Sequence, residues 1–269
     1  MKWLLVALPL ILAALYVLSL RGRVGHPGLE KLRGWNYAHR GLHGNGIPEN
    51  SLAAFQAAAD HGYGAEFDVH LLADGGLGIM HDSQLKRMTG AEGKIESLTT
   101  GELANYHLDG TSEVIPTLQQ VLEIFDGKAP LVIELKTDNN AAALCQRVCQ
   151  VLDDYHGVYC LESFDPRCVL WLRRHRPDLI RGQLSYNFQA DPKSPLPGVL
   201  KFLLRYNMEN FLTLPDFIAY QFEDRQVLSN RLCRKLWKIC GVSWTLKNRQ
   251  QYDTAIEEDW IPIFEGFEP

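Results

Sequence analysis

Basic charge is what this chain has too little of. It carries 27 Lys and Arg against 32 Asp and Glu over 269 residues, a formal net charge of −5. No basic face or stripe is evident, which argues against a nucleic acid as partner. Cysteine is also sparse and badly spaced for cross-linking. Cys145 and Cys149 stand one helical turn apart, and Cys160, Cys168, Cys233 and Cys240 are scattered among apolar residues. That is neither a disulfide framework nor a CxxC metal pattern, and free thiols packed as small hydrophobes are expected. Internal repeats, low-complexity segments and internal linkers are missing as well, so solenoids and tethered arrays drop out.

Long hydrophobic runs are limited to one. Trp3–Leu20 holds 18 residues without a charge, interrupted only by Pro9 and Ser19. At ~1.5 Å per residue this just reaches across a hydrocarbon core of ~30 Å. The run is followed by Arg21-Gly22-Arg23 rather than a small-x-small site, so an uncleaved anchor is preferred over a signal peptide. The expectation is a single-pass membrane protein: residues 1–33 as transmembrane anchor and basic juxtamembrane collar, residues 34–269 as the catalytic body. Arg21, Arg23, Lys31 and Arg33 bias that body towards the cytoplasm. Removing residues 1–33 should then leave a working body.

After residue 34, short apolar runs alternate with amphipathic helical patterns. Strands are expected at 35–39, 64–70, 77–81, 130–136, 158–163, 180–185, 217–220, 241–245 and 260–264. Helices are expected at 51–61 behind Asn50 as N-cap, at 118–125, at 140–155 on the spacing of Leu144, Val148, Leu152 and Tyr155, and at 225–239 on Val227, Leu228, Leu232, Leu236 and Ile239. Such alternation makes a parallel sheet with helical crossovers. About 235 residues suit an α/β (β/α)8 TIM barrel, with a doubly wound open sheet as runner-up. The stretch 82–113, rich in Gly, Thr and charge, looks like an insertion over one end of the barrel.

Barrel enzymes carry their chemistry at the C-terminal ends of the strands. The polar residues ending apolar strands here are His39 and Arg40, Glu66 and Asp68, His81 and Asp82, and Glu134 and Lys136. Period-two spacing aims Glu66 and Asp68 at one face, and likewise Glu134 and Lys136. Three carboxylates held together repel one another and need neutralising. Oxygen-only ligands suit one divalent cation, Mg2+ or Ca2+, rather than zinc. The rival arrangement is a buried salt-bridge network in which Arg40 and Lys136 do the neutralising. Beside a metal, His39 and His81 are candidates for acid-base work. His43, His61, His70 and His107 lack that context and are expected to be solvated.

The segments "AHRG", "PENSLAAFQAAADHGYGAEFDVHLLADGGLGIMHDSQLKRMTG", "VIELK", "SFDP" and "WTLKN" resemble the glycerophosphodiester phosphodiesterase family, over about residues 35–265. The resemblance implies a TIM barrel with a small insertion after the second strand. It implies His39 and His81 as the acid-base pair, Glu66, Asp68 and Glu134 as metal ligands, and Arg40 and Lys136 as holders of the phosphate. The family often ends with a Thr-Asp or Thr-Asn-x-Pro signature where this chain has "FEGFEP", so no site residue is assigned on the last strand. The implied activity is hydrolysis of a glycerophosphodiester to sn-glycerol 3-phosphate and an alcohol. The same chemistry on a membrane lysophospholipid, a lysophospholipase D, is the alternative. Its marker would be an apolar groove beside the metal, for which Phe188, Leu203, Leu204, Phe211 and Phe217 are candidates. A non-catalytic, membrane-tethered binding module is the third reading, and it leaves the second histidine without a purpose.

Overall fold

The computed structural model describes residues 2–269, with side-chain surroundings from residue 7 onward. Nine strands form: β1 (Tyr37–His39), β2 (Gly64–Leu71), β3 (Leu77–Ile79), β4 (Leu131–Leu135), β5 (Tyr159–Ser163), β6 (Arg181–Ser185), β7 (Phe217–Gln221), β8 (Cys240–Leu246) and β9 (Trp260–Phe264). Eight of them are parallel neighbours in the order β1-β9-β8-β7-β6-β5-β4-β2, and β1 pairs with β2, which closes the ring. The open doubly wound sheet is thereby excluded. β3 is not a barrel strand. It pairs antiparallel with β2, Val69 opposite Ile79 and Leu71 opposite Leu77.

Period-two alternation builds two cores. One runs between barrel and helices and includes Phe55, Phe67, Val69, Ile133, Leu135, Leu161 and Leu144. The other fills the barrel with Tyr37, Val132, Cys160, Leu184, Phe217, Ala219, Val242 and Ile263. Gly182 is required there: a Cβ at this position would stand 2.1 Å from the Phe217 ring, which takes the space across two strands. β1, β4, β5 and β7 are therefore apolar where they enter the barrel and bring an inward polar residue to the exit: His39, Glu134, Glu162 and Gln221. All six cysteines are free and buried, as their surroundings imply.

The helices follow their patterns with two exceptions. Leu118–Phe125 and Ala141–Leu152 form where expected. The helix Leu52–Asp60 is capped by Ser51, whose side chain accepts from Ala54 N, and not by Asn50. The helix Leu228–Lys235 is shorter than expected and buries Ser229, Asn230 and Cys233, leaving Leu228 and Leu236 exposed. Its apolar period faces inward only in part: Val227 and Leu232 pack against the cores and Ile239 is buried. The insertion between β3 and Leu118 wraps a small core of its own around Met80, Leu85, Met88, Ile95, Leu98 and Leu103.

The expected transmembrane anchor is not supported. Among the described residues, no helix is long and apolar enough to cross a membrane. The helix Lys2–Ser19 has 18 residues with Pro9 inside it. Its last turns are used for packing. Leu20 is fully buried beside Ile218, Cys233 and Ile239, with Tyr16 and Trp237 against them, and Trp237 Nε1 donates to Val17 O at 2.8 Å. The chain next runs under the barrel, where Arg23 pairs with the buried Asp216 at 2.5 Å and Nη2 donates to Leu179 O at 2.7 Å. Without a span, the positive-inside assignment of a single-pass protein with a cytoplasmic body falls too, and the basic collar is in part a structural one.

Candidate active site

At the exit end of the barrel the sequence-derived acids meet. One oxygen from each of Glu66, Asp68 and Glu134 lies within 4.8 Å of the others, and all three residues are buried. Register explains the meeting, since Asp68 of β2 lies opposite Glu134 of β4. Lys136 stands among them, its Nζ 2.7 Å from Glu134 Oε1 and 3.0 Å from Asp68 Oδ1. Arg40 donates from its backbone N–H to Glu66 Oε2 at 3.3 Å and from Nη1 to Glu49 Oε1 at 2.9 Å. Its own φ is +55°. Gly41 follows at φ +78°, where a Cβ would strike the Ala54 backbone at 2.8 Å. That close approach is why the chain leaves His39-Arg40 through a glycine.

The charges do not balance through salt bridges alone. A fourth buried acid, Glu162 of β5, pairs in register with Glu134 and keeps Oε2 without a hydrogen-bond partner. Glu66 and Glu162 have no Lys or Arg in ion-pair range among the described residues; only His39 approaches Glu66, Nε2 to Oε2 at 3.8 Å. Burial, then the neighbouring Asp68 and Glu134, pushes Glu66 well above the carboxylate range. Burial raises Glu134 to about 7 against the pull of Lys136. Asp68 goes the other way: Lys136, His81 and Arg40 overcome its burial and hold it well below. Two cations would leave a deficit of positive charge were all four acids ionised, and the raised Glu66, Glu134 and Glu162 show how strongly they resist it. An oxygen-only, self-repelling set of this kind fits a hard divalent cation.

The two histidines flank the acids. His39 ends β1, and its Nδ1 lies 2.5 Å from Glu265 Oε2, whose Oε1 meets Lys247 Nζ at 2.6 Å. Burial lowers His39 to about 4 despite that hydrogen bond, so the ring is neutral at neutral pH. His81 follows β3, with Nδ1 2.7 Å from Asp82 Oδ1. Asp82 is in turn held by Arg87, which donates from Nη2 to Glu49 at 2.6 Å. Burial and Lys136 lower His81 as well. Each ring thus has a carboxylate on Nδ1, the arrangement that fixes a tautomer and frees Nε2.

All seven sequence-derived residues except Asp68 line one cavity of about 600 Å³. Its other wall is mostly apolar, with Phe164, Leu184, Phe188, Leu196, Trp244 and Ile263 interspersed with Asp191, Lys193, Ser194 and Gln221. A second cavity of about 690 Å³ shares His81, Glu134, Lys136 and Phe188 and extends to Leu200 and Leu204. Of the groove residues expected from sequence, Phe188 and Leu204 are there, and Leu203 lines neither cavity. Phe217 fills the barrel interior, and Phe211 lies by the N-terminal helix near Leu15 and Leu18.

Three participants were not foreseen. Glu162 was legible as an inward acid ending a strand, in step with Glu134. Glu265 sits in the "FEGFEP" segment to which no role was assigned. Asn50, taken for a helix cap, has φ +54° and donates from Nδ2 to Asp68 Oδ2 at 2.9 Å. Two of the histidines expected to be solvated are not. His70 is buried on Glu96, Nδ1 to Oε1 at 2.8 Å, and His43 is half-buried beside His39 and Glu265.

Comparison with known proteins gives a consistent picture. Residues 39–197 match the model of the glycerophosphoryl diester phosphodiesterase family. A glycerophosphodiester phosphodiesterase of Bacillus altitudinis is 36% identical over 111 residues, 39% of this chain and 45% of that protein. A lysophospholipase D of Rattus norvegicus is 34% identical over 131 residues, 44% of this chain and 40% of that protein. The chain thus spans less than half the length of these curated relatives. Among solved structures, a phosphodiesterase of Oleispira antarctica in complex with the product sn-glycerol-3-phosphate superimposes with a TM-score of 0.69. It covers 86% of this chain and 92% of its own at 21% identity, a likeness of fold.

Proposed function

Because the chain belongs to the glycerophosphoryl diester phosphodiesterase family, we propose that it hydrolyses glycerophosphodiesters to sn-glycerol 3-phosphate and an alcohol, with one divalent cation, Mg2+ or Ca2+, on Glu66, Asp68 and Glu134. The observation that carries this reading is the buried, under-neutralised acid cluster with a carboxylate-bound histidine on either side, in one cavity. The bound cation would supply charge neutralisation on a nonbridging phosphate oxygen and a lowered pKa for the attacking hydroxyl.

The chain's own residues do the rest. Glu265 accepts from His39 Nδ1–H, which leaves the Nε2 lone pair facing the acid cluster, ready to take the proton of the glycerol hydroxyl next to phosphorus. Attack by that hydroxyl gives a cyclic phosphate, and water then opens it. His81 serves the departing alcohol. Its Nδ1 partner Asp82 compensates the charge of a protonated ring, and an anionic substrate offsets the influence of Lys136. Arg40 and Lys136 bring positive charge to the phosphate oxygens where charge builds up. The apolar wall excludes water from these groups.

That wall also favours a second reading, a lysophospholipase D whose acyl chain lies along Phe164, Phe188, Leu196 and Leu200. One experiment addresses both. The purified chain is incubated with glycerophosphocholine, glycerophosphoethanolamine and lysophosphatidylcholine, with Mg2+ or Ca2+, and products are read by mass spectrometry. Glycerol 3-phosphate supports the first reading and lysophosphatidic acid the second. No turnover on any member with either cation would overturn both.

A further inference from the structure

We propose that His39, His43 and Glu265 form a second cation site, distinct from the all-oxygen cluster, that takes a borderline transition ion of the Zn2+ type and silences the enzyme by doing so. The proposal rests on the reading of His39 as a proton-transfer residue. The donor atoms of these three side chains lie within 4.8 Å of one another. His39 Nδ1 and Glu265 Oε2 already face each other at 2.5 Å. His43 Nε2 is buried without a hydrogen-bond partner, an orphaned nitrogen beside an otherwise complete pair. Ligands at ~2.0–2.1 Å in a tetrahedral site stand about 3.3 Å apart, so small side-chain shifts bring the set to ligating distance.

Donor chemistry separates the two sites. Glu66, Asp68 and Glu134 offer oxygen alone, as a hard cation prefers. Two imidazoles and one carboxylate suit Zn2+ or Co2+ and discriminate against Mg2+ and Ca2+. The supporting contacts fit a ligand role as well. Lys247 Nζ holds Glu265 Oε1 at 2.6 Å and leaves Oε2 for a cation, the kind of outer contact that orients a ligating carboxylate. His43 is carried by the loop Gly41–Gly46, in which Gly41, Gly44, Asn45 and Gly46 all have positive φ.

Silencing follows from the proton count on His39. In the metal-free ring the proton sits on Nδ1, shared with Glu265, and the Nε2 lone pair is free. When Nδ1 gives its lone pair to a cation, the ring's single proton must reside on Nε2. No free lone pair then remains to accept the substrate hydroxyl's proton, and no bond to the substrate is made or broken. The ion acts by fixing a tautomer and not by entering the reaction.

The test uses the whole chain with saturating Mg2+ or Ca2+ on the oxygen cluster. Co2+ is added first, because a tetrahedral Co2+ site with nitrogen ligands absorbs in the visible, whereas an all-oxygen octahedral site is nearly colourless. Zn2+ is then titrated against hydrolysis. Expected is a visible Co2+ band at one ion per chain, displaced by Zn2+, and inhibition by Zn2+ that excess Mg2+ does not relieve. His43→Gln should erase the band and raise the half-inhibiting Zn2+ concentration at least tenfold, with unchanged turnover in the absence of Zn2+. His43→Ala serves as the second variant, and thermal unfolding checks that both fold. Inhibition equally strong in both variants, or relieved by Mg2+, means that Zn2+ acts at the oxygen cluster and overturns the proposal. Absence of the Co2+ band overturns it also, even where the chain turns over no substrate, so the two readings fail separately.

Discussion

Replacing Glu134 by Gln separates a metal site from a structural ion-pair network, because the two make opposite predictions for stability. In the metal-free chain, burial raises Glu134 from 4.5 to about 7. The sign follows: the folded state holds the proton more tightly than the unfolded chain. The group's contribution to stability is therefore full below about pH 4.5 and is lost as pH rises through about 7. A shift of that size is worth about 3 kcal/mol of destabilisation at pH 8, at ~1.36 kcal/mol per unit. Gln keeps the shape and an oxygen for Lys136 but carries no charge. In EDTA at pH 8, Glu134→Gln should gain about 3 kcal/mol, roughly 6–12 °C in Tm for a domain of this size. With Mg2+ or Ca2+ the order should reverse, because native-state ligand at about 1,000 times its Kd adds ~4.1 kcal/mol to the parent and little to the variant. Thermal unfolding with and without cation at pH 5 and pH 8 reads all four corners. A variant less stable than the parent in EDTA at pH 8 would refute the reasoning. It would mean that the Lys136–Glu134 contact at 2.7 Å outweighs the burial of the charge.

His39→Ala and His81→Ala should each lower turnover by about 10²-fold or more, the usual scale for a positioned proton-transfer group, with unfolding curves near those of the parent; near-normal turnover removes that residue from the mechanism. Exhaustive chelation should abolish activity and added Mg2+ or Ca2+ restore it, with full activity after chelation as the contrary result. Leu200→Glu puts a charge on the 690 Å³ cavity and should depress hydrolysis of lysophosphatidylcholine at least tenfold more than that of glycerophosphocholine, and equal losses would count against an acyl groove. Arg23→Ala leaves the fully buried Asp216 carboxylate without its ion-pair partner, holding only the Arg181 N–H, and should cost about 3 kcal/mol in urea unfolding. Deleting residues 1–33 removes that contact together with Leu20, so it should lower stability instead of leaving the barrel untouched.

Local pattern determined much of this protein. Period-two spacing put Glu66 with Asp68 on one face and Glu134 with Lys136 on another strand's, and alternation of strand and helix pointed to the barrel, because both depend only on neighbours along the chain; the meeting of the two pairs needed the register of β2 against β4. Cysteine environments were legible for the same reason. Tertiary structure decided what depends on residues far apart. β3 reads as a strand, but only pairing shows it folded back on β2 outside the ring. The helix Leu228–Lys235 has an apolar period, yet the groups packed on it decided which side is buried. Trp3–Leu20 reads as a span on hydropathy alone, and only the contacts of Tyr16, Val17 and Leu20 show its last turns spent on the barrel. Glu265 lies 226 residues from His39, and no spacing rule reaches that distance. Closure of the barrel brings β9 beside β1 and sets that carboxylate on that ring.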